Sequence, residues 1–296
     1  MNVAFRVDSS SKIGLGHLIR CLVLAEQYIY DKVIFIVQVL PGNANQTIIN
    51  NGYNLITLND NSVNELCKKI KLLHIDNIIF DHYGIDYKFE KLVKEKTGVK
   101  ILSLDDTYEK HYCDILLNHN IYAKKENYKN LVPEFCEIRC GKKFILIRDE
   151  FKNIQIKTHS KNKKIPIVFV CLGGSDEHNI GLSVLEILAE VNNMIINFAT
   201  TSSNNHIVKL QAFAKKNPNI NIHVDSYIAE LMNNSNLAIV TPSNILNEVM
   251  FMKLPFIAIK TSKNQEIMYQ YLLKNNYPAL KNKELSKLLK EVLKYV

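Results

Sequence analysis

The chain has 296 residues, of which 47% are hydrophobic and 22% are charged, and this length suffices for two α/β domains of ordinary size. Its formal net charge is +8, but the lysines are spread along the chain without an aromatic-flanked basic stripe, which argues against a nucleic-acid partner and favours a small anionic ligand. The six cysteines form no CxxC pair and no apolar run approaches the ~20 residues of a membrane helix, so we expect no zinc ribbon, disulfide framework or membrane span.

The first predicted elements are a strand, a glycine loop and a helix. Residues 3–7 alternate and are rich in β formers, and residues 18–28 carry a helical apolar face. Gly14 and Gly16 lie between them and remove side chains where the backbone approaches a ligand. Because the first helical N–H groups and the positive end of the helix dipole point into this loop, it predicts a phosphate or pyrophosphate site. The strand follows Met1 without a signal peptide, so a cytoplasmic protein is expected.

One histidine, His17, lies in the first turn of that helix. The helix dipole disfavours imidazolium there, so we expect a neutral ring that accepts a proton near pH 7, as a general base must. The alternative is a tight turn between strand and helix in which the histidine only caps the helix. The pattern alone does not separate the two interpretations.

The first half of the chain continues as alternating strands and helices, which predicts a parallel sheet. Asp81 and Tyr83 follow the end of one strand and are expected to meet sugar hydroxyls or amides, whereas His82 faces solvent or packs. Asp105–Asp106 follows the next strand without a third ligand in register, so no metal is expected. His111 shows no ligand spacing and is expected to have an ordinary hydrogen-bonded role. The further predicted strands are residues 33–39, 77–80, 100–104 and 115–117, and the predicted helices are residues 63–72 and 87–95.

A second domain of the same kind follows a polar segment, residues 151–164, which we interpret as a linker with a local concentration of lysines at 161–164. The predicted fold is therefore α/β, with two Rossmann-like domains, residues 1–150 and 165–296, facing across a cleft. Ligands in such folds bind beyond the carboxyl ends of the strands. The predicted strands of the second domain are residues 167–172, 194–200, 220–224, 237–240 and 256–259.

Two segments of the second domain carry candidate nucleotide contacts. Gly173 and Gly174 follow its first strand and permit close backbone approach, and either Ser175 or Asp176 is expected to cap the next helix. The hydroxyl-rich residues 200–205 are interpreted as a solvated turn.

A later strand ends in Thr-Pro-Ser and leads into a helix. Ser243 is placed there to offer its hydroxyl and neighbouring amides to phosphate, and Glu248 lies one helical turn in, where its carboxylate can accept from a ribose diol. The alternative is a capping arrangement with an exposed glutamate.

Several motifs together resemble the PseG family of nucleotide-sugar hydrolases, and the resemblance covers nearly the whole chain. They are RVDSSSKIGLGHLIRC, FDHYGID, LSLDDTY, CDILLNHNIYA, RCGKKFILIRDEF, CLGGSD and the segment from Ser243 to Glu248. The resemblance implies a GT-B fold of the MurG-like branch. It also implies hydrolysis of a UDP-linked 2,4-diacetamido-2,4,6-trideoxy sugar to the free sugar and UDP, in pseudaminic acid biosynthesis and hence flagellin glycosylation.

The resemblance also implies roles for individual residues. His17 is implied to activate water, Ile228 to seat uracil on backbone groups and Glu248 to bind ribose. The residues from Leu280 onward are predicted to form an additional helix without an assigned role. The implied substrate contacts are Arg6, Asp8, Gly14, Gly16, Tyr83 and Gln265, and the implied nucleotide contacts are Gly173, Gly174, Ser175, Ile228, Ser243, Asn247 and Glu248.

These residues predict direct displacement of UDP by water, with inversion at the anomeric carbon, because no carboxylate nucleophile is evident. No metal or cofactor is expected, and the expected partners are the UDP-sugar and UDP, bound by a monomer. Two alternatives stay open. One is a GT-B glycosyltransferase that uses a UDP-sugar donor, and the other is a non-catalytic subunit that binds a UDP-sugar.

Overall fold

The chain divides into two compact units, Met1–Leu146 (unit 1) and Ile147–Val296 (unit 2), in a computed structural model that describes residues 1–157 and 165–295. Each unit contains one sheet of parallel strands, as predicted from the alternation of strands and helices. The predicted lysine cluster at residues 161–164 lies outside the described residues. Among the described helices, none is both long and apolar enough to cross a membrane.

Unit 1 is built on a seven-stranded sheet. Its strands are β1 (Asn2–Val7), β2 (Lys32–Gln38), β3 (Asn54–Leu58), β4 (Asn77–Asp81), β5 (Lys100–Leu104), β6 (Ile115–Asn118) and β7 (Glu137–Cys140), and its helices are α1 (Gly16–Ala25), α2 (Asn45–Asn50), α3 (Val63–Leu72) and α4 (Tyr87–Thr97). The strand order is β3-β2-β1-β4-β5-β6-β7. The order changes direction between β1 and β4, so the loops after these two strands lie at the point where such sheets bind ligands.

The central strand β1 is buried on both faces. Its residues therefore do not alternate between a buried and an exposed face, contrary to what we inferred from the sequence. Val3, Phe5 and Val7 pack in one hydrophobic cluster, and Ala4 packs in a second cluster on the other face. Phe5 stacks on Phe35 of β2 with ring centroids 5.0 Å apart. A strand covered on both faces is typical of a parallel sheet, and it fixes the loop that follows β1.

A buried polar network joins α4 to the segment after β5. Glu90 accepts a hydrogen bond from the amide N–H of Tyr112 at 2.6 Å, and its Oε1 lies 2.8 Å from His111 Nδ1. Asp105 accepts from the Tyr128 hydroxyl at 2.6 Å. Burial alone would lower the pKa of the His111 ring, but the nearby carboxylates of Asp105, whose Oδ1 lies 3.8 Å from Nε2, and of Glu90 raise that pKa to about 10. The ring is therefore a cation in a structural network, and its hydrogen-bonded role agrees with the prediction.

We expect His111→Gln to destabilise unit 1 most at acidic and neutral pH. Because the folded-state pKa of the ring exceeds its ordinary value of 6.5, the stabilisation is complete below pH 6.5 and is lost as the pH rises through about 10. Removing one partner of a buried ion pair costs about 3–5 kcal/mol. Hydrogen exchange of the β5 and β6 amides measures the loss in unit 1 alone, with the exposed His74→Asn as control. A destabilisation independent of pH would contradict the charged ring.

Unit 2 is built on a six-stranded sheet. Its strands are β8 (Ile167–Cys171), β9 (Ile195–Thr200), β10 (Ile220–Val224), β11 (Leu237–Val240), β12 (Phe256–Lys260) and β13 (Ala279–Lys281), and its helices are α5 (Asp149–Lys152), α6 (Ile180–Leu188), α7 (Ile207–Lys216), α8 (Ile228–Asn233), α9 (Asn244–Phe251), α10 (Glu266–Lys274) and α11 (Leu288–Val292). The strand order is β10-β9-β8-β11-β12-β13. The loops after β8 and β11 therefore occupy the same topological position in unit 2 as those after β1 and β4 in unit 1.

The helix predicted from Leu280 onward is wrong at its start. Leu280 pairs with Ile259 in the register of β13 on β12, and only 7% of its surface is exposed. A 3-10 turn, Asn282–Lys287, separates this strand from α11. The apolar residue that we assigned to a helix face is needed to complete the sheet.

Candidate active site

The loop between β1 and α1, predicted to bind an anion, is compact and held by its own hydrogen bonds. The amide N–H of Gly14 donates to the carbonyl of Ser10 at 2.8 Å, and Ser10 Oγ accepts from the amide N–H of Ile13 at 3.0 Å. Gly14 has φ +78°, a left-handed conformation that favours glycine. Leu15, at the N-cap of α1, makes no side-chain capping bond, so this end of the helix keeps its positive dipole directed into the loop.

His17 is the second residue of α1, and it faces the carboxyl end of β4. Its Nδ1 lies 2.6 Å from Oδ1 of Asp81, and its side chain is 8% exposed. A carboxylate accepts and does not donate, so this contact assigns the ring proton to Nδ1. Nε2 is thereby the proton-accepting nitrogen of the ring.

Arg20, one helical turn after His17, holds the same carboxylate. Its Nε donates to Asp81 Oδ2 at 2.6 Å and its Nη2 to Oδ1 at 2.5 Å, while its Nη1 donates to Asp106 Oδ2 at 2.8 Å. Burial alone would raise the pKa of the Asp81 carboxyl, but the charge of Arg20 and the hydrogen bonds from Arg20 and His17 hold it well below its usual range. Asp81 is an ionised orienting group for His17. The expectation that it meets sugar hydroxyls is corrected, because Asp81 is 1% exposed.

Tyr83 packs against His17, the candidate general base. Its ring packs edge-on to the His17 ring with centroids 4.6 Å apart, and its hydroxyl donates to Asp106 Oδ1 at 3.0 Å. The residue is 56% exposed. Tyr83 therefore offers a solvent-facing aromatic edge beside the imidazole.

Arg6 and Asp8 form a buried ion pair below this site. Arg6 Nη1 donates to Asp8 Oδ1 at 2.6 Å, and His82 Nε2 lies 3.0 Å from Asp8 Oδ2. His82 Nδ1 in turn accepts the amide N–H of Gly84 at 2.9 Å, so His82 is bonded at both nitrogens rather than facing solvent. Arg6 has no exposed surface. This burial favours a role in holding the turn that carries Tyr83 over a direct contact with substrate.

The glycine turn after β8 has the features predicted for close approach. Gly173 has φ +96°, and Gly173, Gly174 and Ser175 are each half-buried. Of the two candidate caps, the structure selects Asp176, whose carboxylate accepts the first two amide N–H groups of α6 at 2.9 and 2.7 Å. The backbone of the turn is thus anchored to the helix that follows.

The loop after β9 packs on this turn and is not the solvated turn that we expected. The carbonyl of Gly174 accepts from Thr200 Oγ1 at 3.1 Å and from Thr201 Oγ1 at 3.0 Å. Asn204 is buried and donates to Thr200 Oγ1 at 2.9 Å. The hydroxyls of this loop stiffen the glycine turn.

Ser243, Asn247 and Glu248 lie on α9 or at its N-cap, as predicted. Ser243 occupies the N-cap without a side-chain capping bond, and its Oγ lies 2.9 Å from Thr241 Oγ1. Asn247 is 2% exposed and Glu248 is 5% exposed, which excludes the alternative of an exposed glutamate. Glu248 is held by a residue that sequence reasoning missed, Arg148, whose Nε and Nη2 donate to its two carboxylate oxygens at 2.7 and 2.6 Å.

The remaining predicted contacts occupy two other loops of unit 2. Ile228 begins α8, next to Tyr227, which is 82% exposed. Gln265 turns its side chain back on its own loop, where Oε1 accepts the amide N–H of Thr261 at 2.8 Å. Within the described residues, no group of three or more His, Cys, Asp or Glu side chains is arranged to hold a metal ion.

Comparisons with known proteins agree with the fold and identify the family. No family model matches the sequence. MurG of Acinetobacter baumannii has a TM-score of 0.62 at 12% identity, covering 98% of this chain and 90% of its own. The spinosyn rhamnosyltransferase SpnG has a TM-score of 0.65 at 8% identity, covering 100% of this chain and 91% of its own. These likenesses confirm the predicted GT-B class of fold.

A curated relative from Campylobacter jejuni subsp. jejuni serotype O:2 is named UDP-2,4-diacetamido-2,4,6-trideoxy-beta-L-altropyranose hydrolase. It is 45% identical over 278 residues, which cover 94% of this chain and 98% of the relative. The motifs around His17, Asp81 and Glu248 are among those that carry the resemblance. The chain belongs to the family of UDP-2,4-diacetamido-2,4,6-trideoxy-beta-L-altropyranose hydrolases.

Proposed function

We propose that this protein hydrolyses a UDP-linked 2,4-diacetamido-2,4,6-trideoxy sugar to the free sugar and UDP. The observation that carries the proposal is His17, set at an anion loop with its Nδ1 2.6 Å from a buried carboxylate. The substrate class is supported by the C. jejuni relative, at 45% identity over almost its whole length. As predicted from the sequence, we place the reaction in the cytoplasm and take a monomer as the acting form.

In the proposed reaction His17 is the general base. Nε2 accepts a proton from water while the water oxygen bonds to the anomeric carbon, and the bond from that carbon to the diphosphate oxygen breaks with its electron pair leaving on UDP. Proton transfer of this kind contributes about 10²–10⁴-fold to the rate. Ionised Asp81 holds the ring in the required tautomer and stabilises the imidazolium that forms. A single displacement inverts the anomeric configuration.

Unit 2 is proposed to bind the nucleotide. Backbone amides at the glycine turn and at the start of α9 stabilise the negative charge that grows on the departing diphosphate, and the backbone at Ile228 receives uracil. Glu248 accepts from the ribose hydroxyls. We assign the nucleotide to Gly173, Gly174, Ser175, Ile228, Ser243, Asn247 and Glu248, and the sugar to Gly14, Gly16, Tyr83 and Gln265, with Arg6 and Asp8 in support. We propose that the N-terminal domain, predicted as residues 1–150, carries catalysis and that the C-terminal domain, predicted as residues 165–296 after a linker at 151–164, binds UDP. In the structure α5, which spans the predicted boundary, belongs to unit 2.

A glycosyltransferase is the second candidate, because the fold is shared with MurG and SpnG. It would use the same donor contacts but pass the sugar to an acceptor hydroxyl. UDP release would then depend on an added acceptor. A non-catalytic binding subunit would instead bind the UDP-sugar without releasing UDP at all.

We expect UDP release from the purified protein and the diacetamido-trideoxy UDP-sugar alone, at the same rate with and without EDTA. The physical reason is that amides and a helix dipole, rather than a metal, neutralise the leaving diphosphate. Chromatography of the nucleotide measures the release, and UDP-N-acetylglucosamine is the matched control, because it lacks the second acetamido group. If EDTA abolishes turnover and a divalent ion restores it, the metal-free mechanism is wrong.

A further inference from the structure

Arg148 lies at the centre of an ion cluster in unit 2 that the mechanism does not use. Besides its two bonds to Glu248, its Nη1 lies 2.7 Å from Glu150 Oε1. The other oxygen of Glu150 accepts the amide N–H of Ala229 at 3.3 Å, next to the residue proposed to seat uracil. The guanidinium carbon lies 5.0 Å from the centroid of the Phe151 ring, which is fully buried. Arg148 is therefore fixed by three side chains at once.

Geometry leaves Glu248 able to bind a second partner. Arg148 donates one hydrogen bond to each carboxylate oxygen, and each oxygen has a further lone pair. The fork of a guanidinium matches the plane of a carboxylate, so the pair fixes the direction in which the remaining lone pairs point. A vicinal diol has two O–H donors, which can each donate to one of these remaining lone pairs on the Glu248 carboxylate.

We propose that Arg148 is a positioning residue that holds the Glu248 carboxylate to accept both ribose hydroxyls, and that it thereby makes the site select UDP over 2′-deoxy-UDP. This inference rests on the proposed function, in which Glu248 binds the ribose. A substrate without the 2′-hydroxyl leaves one carboxylate oxygen without its partner in a buried site. A buried site that loses one of its hydrogen bonds in this way binds the deoxy ligand much more weakly, although the two ligands have nearly the same shape.

Arg148 also determines the charge of Glu248. Burial raises the pKa of the Glu248 carboxyl and Arg148 opposes that shift, with a net value above the usual range. The other ionisable groups that act on Glu248 are Glu150, whose charge raises the pKa further, and Cys171, whose own pKa burial raises to about 11. Without the Arg148 side chain, burial and the charge of Glu150 would disfavour the carboxylate more strongly than they do now, although the backbone N–H of residue 148 would still favour it. This raises the pKa of the Glu248 carboxyl further and so favours its protonated form, which has less capacity to accept from the diol.

The test is the affinity ratio of UDP to 2′-deoxy-UDP, measured by calorimetry between about pH 6 and pH 9. Titration of the diphosphate cancels in this ratio, because both ligands carry it. The variants are Arg148→Ala, Arg148→Lys and Glu248→Gln. Arg139→Ala is the matched control, because Arg139 makes a similar two-bond pair with Glu137 at 2.8 Å on the exposed surface of unit 1.

We expect the wild-type protein and Arg139→Ala to favour UDP by about ten- to hundred-fold at every pH, as the loss of a charged hydrogen bond implies. Arg148→Ala should bring the ratio close to one at acidic pH and recover preference as the pH rises and Glu248 ionises. Arg148→Lys should give an intermediate ratio that changes less with pH, because the charge remains while the fork is lost. The double variant Arg148→Ala/Glu248→Gln should have nearly the same affinity ratio as Glu248→Gln alone, because Arg148 acts on the ratio through Glu248.

Two results would overturn the inference alone. The first is that Arg148→Ala keeps the wild-type preference for UDP. The second is that Arg148→Ala loses affinity for UDP and for 2′-deoxy-UDP by the same factor, which would show that Arg148 acts on another part of the nucleotide. A wild-type protein that binds UDP without preferring it to the deoxy form overturns the ribose assignment of Glu248 as well. Retained binding of 2′-deoxy-UDP by Arg148→Ala shows that the variant is folded.

Discussion

Replacing His17 by asparagine or phenylalanine is expected to lower kcat by about 10²–10⁴-fold, the usual contribution of a general base. The affinity for UDP should change little, because proton transfer matters in the transition state and much less in ground-state binding. Steady-state UDP release measures the first quantity and calorimetry with UDP the second. His74→Asn is the control, because it removes an exposed histidine of the same unit that lies outside the proposed site.

The pH profile and labelled water give independent checks on His17. The pH profile of kcat in His17→Asn should differ from that of the wild-type protein, because the variant lacks the group that accepts the proton from water. In ¹⁸O-labelled water, attack at the anomeric carbon places the label in the sugar. Label in UDP would mean cleavage at phosphorus, and a raised KM with unchanged kcat would return His17 to a capping or phosphate-binding role.

The sequence predicts the central elements well because their signals are local. The helix at residues 63–72 has the predicted bounds, since Ser62 caps it by accepting the amide N–H of Glu65. The strand at residues 100–104 also has the predicted bounds, because an apolar run and the polar residues that flank it mark both ends. The glycine loop and His17 were also predicted from local signals, because the end of a strand, a turn and the start of a helix all fall within fifteen consecutive residues.

Three edge strands, β3, β7 and β13, were missed for the opposite reason, whereas the edge strand β10 has its predicted bounds. β3 and β7 bury few of their side chains, and β13 has only three residues. A strand of this kind lacks the run of apolar residues that marks the central strands, and its pairing partner alone decides its structure. For β13, the apolar Leu280 fits a helix face as well as a strand in sequence.

The partners of the site residues could not be read from motifs, because they are distant in sequence. Arg20 and Asp81 are 61 residues apart, and Arg148 and Glu248 are 100 residues apart. Weak signals existed: Asp81 ends an apolar strand, and Arg20 follows His17 by one helical turn. Only the strand order, which brings β1 beside β4, turns these signals into contacts.

Replacing Asp81 by asparagine should lower kcat by at least about 100-fold, because loss of the carboxylate removes the group that fixes the histidine tautomer. An amide has one acceptor and one donor where the carboxylate has two acceptors. It therefore cannot accept from both nitrogens of Arg20 and from His17 Nδ1 together. If the amide donates to Nδ1, the ring proton moves to Nε2, and that nitrogen can no longer take a proton from water.

The matched control for this variant is Asp106→Asn. Both variants remove a carboxylate partner of Arg20, but Asp81 accepts two bonds from Arg20 where Asp106 accepts one, and only Asp81 contacts His17. We expect Asp106→Asn to keep most of kcat. Equal losses of kcat in the two variants would mean that Asp81 only anchors Arg20 and that His17 acts without an orienting carboxylate.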